Sequence, residues 1–122
     1  MRRPPEDKRR ERRIDMDIIV DCYSEDEKAL GWYYYIEDNL AFPFKATCIQ
    51  RRLTSPLKIG KTVEVIRMAK EDDCMHEIFV SVKWAGQNLA VPLIQLKAIK
   101  PTKKTKEAMD DWAYWVDRGY RF

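Results

Sequence analysis

Between Phe44 and Lys100 the chain is interrupted by a turn signal every few residues. Ser55-Pro56, Gly60, the tetrapeptide Ala85-Gly86-Gln87-Asn88 and Pro92 each stop whatever regular element precedes them. Short strands fit the intervals: about 44–52, Thr62–Met68, Glu77–Trp84 and Leu89–Val91. Ala85–Asn88 predicts the hairpin turn between the last two. Leu93–Leu96 predicts a short 3₁₀ turn, and residues 97–101 add an edge strand. Four or five short strands with tight turns, closed by a 3₁₀ turn, predict a small SH3-like antiparallel β-barrel within an α+β chain.

One helix precedes this region and one follows it. Ser24-x-x-Glu27 is a capping box and opens a helix to about Asn39, with Ala29, Tyr33, Ile36 and Leu40 on its buried stripe. The run Trp32-Tyr33-Tyr34-Tyr35 has poor helix propensity, so packing must hold the segment. Phe42-Pro43-Phe44 ends it. The last helix spans about 103–118, places Met109, Trp112, Trp115 and Val116 on one stripe, and stops at Gly119. Trp84, Trp112 and Trp115 are expected in the core. Upstream, Ile14, Met16, Ile18, Val20 and Cys22 alternate with Asp15, Asp17 and Asp21, which predicts a strand with one wet face. Residues 1–13 are rich in Pro and charge and are expected to be a disordered basic arm. Residues 14–122 then form a single domain.

Several function classes are excluded. No apolar run approaches the ~20 residues of a membrane span. The Met-Arg-Arg-Pro-Pro start has no apolar signal region, which predicts a cytoplasmic protein. Cys22, Cys48 and Cys74 are odd in number and widely spaced, so they read as buried thiols rather than a disulfide framework or a zinc knuckle. With one histidine, His76, no Gly-x-Ser-x-Gly elbow and only four scattered glycines, the chain is expected not to be an enzyme.

The charge distribution is more informative than the net +3. Residues 1–13 hold seven Lys/Arg against three Asp/Glu, a net of +4, so the remainder of the chain is −1. Residues 14–27 carry six acids and no base. Glu25, Asp26 and Glu27 lie in the first turn of a helix, where the macrodipole favours them. Glu37 and Asp38 lie at the opposite end of that helix, where each charge costs about 0.3–1 kcal/mol. A bound cation would offset that cost, and the free carbonyls of the last turn would add neutral oxygen ligands. A solvated pair facing a lysine would offset it too. Glu71, Asp72, Asp73 and Glu77 form a second acidic cluster without a base. It suits a hard cation, or an ordinary solvated loop, and no EF-hand string occurs.

These residues carry a resemblance. Gly31-Trp32-Tyr33-Tyr34-Tyr35-Ile36-Glu37-Asp38-Asn39-Leu40-Ala41-Phe42-Pro43-Phe44 is similar to the signature of the cyanobacterial-type calcium-binding protein family. So are Ser55-Pro56-Leu57, the loop Glu71-Asp72-Asp73-Cys74-x-His76-Glu77, and Leu89-Ala90-Val91-Pro92-Leu93 followed by Leu96. The closing Asp111-Trp112-x-Tyr114-Trp115-x-x-Arg118-Gly119-Tyr120 completes it, and the likeness covers about residues 14–120. The resemblance implies a small, non-EF-hand protein of a bacterial cytosol that binds or buffers Ca2+ through surface carboxylates. On this chain it points to Asp38 first, and then to the acids of the 71–77 loop. The competing expectation is a nucleic-acid or other anionic-partner module, in which residues 1–13 supply salt-sensitive attraction to phosphates. A weaker one is a peptide adaptor using an aromatic groove of the barrel.

Overall fold

In the computed structural model, which describes residues 3–122, the interrupted central region forms five strands. They are β1 (Phe44–Cys48), β2 (Thr62–Met68), β3 (Phe79–Trp84), β4 (Gln87–Pro92) and β5 (Leu96–Ala98), in one antiparallel sheet of order β4-β3-β2-β1-β5. Ala85 and Gly86, both at positive φ, make the β3–β4 turn, and Trp84 pairs with Gln87 across it. The 3₁₀ turn Leu93–Gln95 carries the chain from one sheet edge to the other. No ladder joins β4 to β5 among the described residues, so the predicted closed SH3-like barrel is corrected to an open five-stranded sheet. With β5 only three residues long and paired to β1 alone, the edge strands β4 and β5 do not meet.

The inward face follows the period of two. Ala46, Cys48, Val63, Val65, Val80, Val82 and Val91 are all buried. Helix α2 (Glu25–Asn39) and helix α3 (Lys103–Asp117) pack together through their aromatics. Trp32 is fully buried, with its ring centroid 5.1 Å from Trp112 and 5.3 Å from Trp115. These contacts supply the stability that the aromatic run lacks in propensity. Trp84 is only partly buried, with the Lys61 ammonium 5.8 Å from its ring. The Ser24 Oγ accepts from the Glu27 N–H at 3.1 Å, as the capping box requires. Gly119, at φ +88°, ends α3 in a Schellman motif: its N–H reaches the Val116 carbonyl and the Tyr120 N–H reaches Trp115.

The N-terminal segment differs from its sequence-based reading. Residues Lys8–Arg13 form helix α1, capped by Asp7, and a π-helical turn Ile14–Ile18 continues it. The wet strand predicted there is absent. Ile14 and Ile18 are buried one turn apart, while Met16 and Val20 are exposed, so the helical spacing governs and the period of two does not. The disordered arm predicted for residues 1–13 is likewise replaced by helix from Lys8 onward; its first two residues lie outside the described ones.

The reason is a carboxylate. Asp111 of α3 is fully buried and accepts from Arg10 Nη1, from Arg13 Nε at 3.1 Å and Nη2 at 2.6 Å, and from the Tyr35 hydroxyl at 2.8 Å. The Asp7 N–H donates to the Tyr114 hydroxyl, and both Tyr114 and Tyr120 donate to Glu11. Gly31 completes the docking from the other side: a Cβ there would lie 2.5 Å from the Ile18 carbonyl oxygen. The Asp111 hydrogen bonds hold the Arg13 guanidinium charged far above neutral pH, and burial followed by the Asp111 bond raises the Tyr35 phenol.

Candidate metal centre

The two acidic clusters sit on elements that pack against each other. Glu37 and Asp38 occupy the last turn of α2, and Glu71, Asp72 and Asp73 lie on a 3₁₀ turn, Glu71–Cys74. All five are exposed, and among the described residues none of them is in an ion pair. Tyr33 stands between the clusters. It is buried, one turn before Glu37, and its hydroxyl donates to the Ala69 carbonyl at 2.7 Å. Burial pushes its phenol up to about 12, with further contributions from Glu37, then Cys74 and Glu71. Both clusters therefore act on the same buried hydroxyl.

A second tie fixes the end of α2. The Thr105 hydroxyl of α3 accepts from the Ala41 N–H at 2.9 Å and donates to the Asn39 carbonyl at 3.3 Å. The Ile36 carbonyl accepts from the Leu40 N–H. Of the carbonyls expected to be free for a cation at this helix end, that of Asn39 is thus already engaged, while Ile36 carries an ordinary helical bond. On the far side, the Cys74 Sγ receives the Phe79 N–H at 3.4 Å, pinning the turn to the start of β3. Burial raises the Cys74 thiol, which keeps it a packed, neutral group.

Not every predicted residue joins the cluster. Glu77 is held by Arg52 in a bidentate pair, each oxygen 2.8 Å from a guanidinium nitrogen, so its charge is already neutralised. Nor do three acidic, His or Cys side chains converge into a ready-made metal cage among the described residues. The donor set present is carboxylate oxygen alone, on exposed side chains free to rotate. That chemistry fits a large, hard cation with flexible coordination and does not fit zinc. His76 is exposed and the three cysteines are free.

Arg10 and Arg13 are taken up by Asp111, and Arg118 Nη1 donates to the Pro4 carbonyl. Sequence reasoning placed all of the N-terminal arginines in solvent. Nothing local to residues 10–13 signals a partner some hundred positions away. The same is true of Tyr33 and Ala69, which lie 36 residues apart.

Comparison with known proteins finds the same fold. The crystal structure of Anabaena CcbP superposes with a TM-score of 0.88 at 39% identity, covering 100% of both chains. A calcium-binding protein in the calcium-binding form superposes with a TM-score of 0.85 at 39% identity, covering 96% of both chains. A search of curated proteins finds no match. The model of the calcium-binding CcbP family, Calci_bind_CcbP, matches residues 12–116. By that coverage, the chain belongs to the calcium-binding CcbP family.

Proposed function

We propose that this chain binds calcium ions at the face shared by the C-terminal turn of α2 and the 3₁₀ turn at 71–74. The observation that carries the reading is the placement of two exposed, unpaired carboxylate clusters on packed elements either side of Tyr33. Asp38 and Glu37 supply one side, and Glu71, Asp72 and Asp73 the other. Glu77, in its pair with Arg52, anchors the chain just beyond the turn. Calcium accepts six to eight oxygens at about 2.3–2.6 Å in loose geometry, so rotating carboxylates and water can complete its shell. Magnesium demands a near-ideal octahedron and is a poorer fit to such a site. A bound cation also relieves the repulsion among the acids and the unfavourable dipole at the end of α2. The calcium-binding form of the second structural neighbour, 39% identical, supports the same ion here.

We read the setting as a bacterial cytosol, with calcium buffering as the role, and the sheet as an open relative of the SH3-like arrangement, with a 3₁₀ turn linking its last two strands. The test uses terbium in place of calcium. Trp32 and Tyr33–Tyr35 lie within ~10 Å of Asp38 along α2 at 1.5 Å per residue, so they should sensitise luminescence from a bound lanthanide. Calcium should quench that signal by competition. A folded protein that gives no terbium signal at millimolar lanthanide contradicts the reading.

A further inference from the structure

We infer that Tyr33 is a positioning residue for the calcium site: its hydroxyl, bonded to the Ala69 carbonyl, clasps the acidic 3₁₀ turn to the C-terminal half of α2. The inference rests on the calcium reading above and adds the device that brings the two halves of the site together.

The geometry carries it. The two clusters lie on elements separated in sequence by β1 and β2, and each cluster alone supplies too few carboxylates for a calcium shell. Tyr33 is 7% exposed and lies on the face of α2 that carries Glu37 one turn later. Its hydroxyl reaches Ala69 at 2.7 Å, immediately before Lys70, the residue that caps the turn. The Asp73 N–H then closes onto the Lys70 carbonyl at 2.9 Å, so a bond placed at Ala69 fixes where Glu71, Asp72 and Asp73 begin. A buried hydrogen bond of this kind is lost without changing side-chain shape when Tyr becomes Phe.

Tyr35 provides the control. It lies on the same helix, and its hydroxyl bonds to Asp111 rather than to the acidic turn. Tyr33→Phe deletes a buried bond to a neutral carbonyl and Tyr35→Phe a part-buried bond to the Asp111 carboxylate, so both lower stability, Tyr35→Phe by at least as much. Only Tyr33→Phe is expected to weaken calcium binding, by roughly three- to tenfold, the factor one net hydrogen bond is worth. A double-mutant cycle separates positioning from general loosening. Glu71→Gln should weaken calcium binding in the parent protein and have little further effect in the Tyr33→Phe background. Luminescence lifetimes of bound terbium in light and heavy water should count more coordinated waters in Tyr33→Phe than in the parent, because the turn's carboxylates no longer reach the ion. Full calcium affinity in folded Tyr33→Phe overturns the clasp and leaves the calcium reading standing. Additive effects of Tyr33→Phe and Glu71→Gln also overturn it. A parent protein that does not bind calcium overturns both.

Discussion

Asp111 and Asp38 are carboxylates of one small molecule with opposite surroundings. Asp111 is fully buried, and two arginines and a tyrosine saturate it. Asp38 is exposed, has no ion-pair partner among the described residues, and shares its face with four more acids in the same condition. A carboxylate whose lone pairs are filled by the protein's own donors builds the fold. One whose lone pairs meet only water is available to a cation. The contrast gives the basic N-terminal segment a structural role and, under the proposed function, leaves ion binding to the acidic face, the reverse of what bare charge counting suggests for a protein of net +3.

The most severe way to break this contrast is to remove Asp111. Asp111→Ala leaves two half-buried guanidinium groups and a hydroxyl without their acceptor, at a cost of about 2–4 kcal/mol. Chemical denaturation should show that loss, and deleting residues 3–13, which strands the buried carboxylate instead, should be similarly damaging. An unchanged melting temperature after either would mean that α1 does not dock.

A smaller effect is expected where the N-terminal segment meets α2. Gly31→Ala drives a methyl group against the Ile18 carbonyl oxygen, a backbone atom that can move only with its whole turn. The expected cost is about 1–3 kcal/mol, with calcium binding unaltered.

How far these features could be read from sequence depends on the range of the interaction that fixes each. Helix α2 announces itself through Ser24 and Glu27, and α3 ends where Gly119 says it must, because caps act within a few residues. The hairpin at Ala85-Gly86 is equally local. The helical state of residues 8–18 is not, because its determinant, Asp111, lies about a hundred residues away and the local pattern mimics a strand. Both acidic clusters are visible as runs of charge, yet the capture of Glu77 by Arg52, 25 residues earlier, is not. The open sheet follows from edges that fail to pair, which no strand pattern encodes.

Alkaline titration sharpens the acidic side of the comparison. Tyr33 has its folded-state pKa raised, from 10.0 to about 12, chiefly by burial and then by nearby acids. The stability associated with keeping it neutral is therefore complete below pH 10 and is lost as the pH rises from there through 12. Melting temperatures measured from pH 9 upward should fall across that window, and Tyr33→Phe should flatten part of the fall. A profile identical in the variant would assign the loss to other tyrosines, Tyr35 among them.

The gentlest perturbation is Asp38→Asn, which is expected to change stability in the absence of ions by no more than about 1 kcal/mol. Its effect should appear only with calcium, because a ligand that binds the folded state alone raises stability with its concentration. The central measurement is thus the melting temperature of the parent, Asp38→Asn and Tyr35→Phe proteins with and without calcium. Calcium should raise the melting temperature of the parent, raise that of Tyr35→Phe equally from a lower starting point, and raise that of Asp38→Asn much less. Equal rises in all three, or no rise in the parent at millimolar calcium, would contradict the assignment of ion binding to the unpaired acidic face.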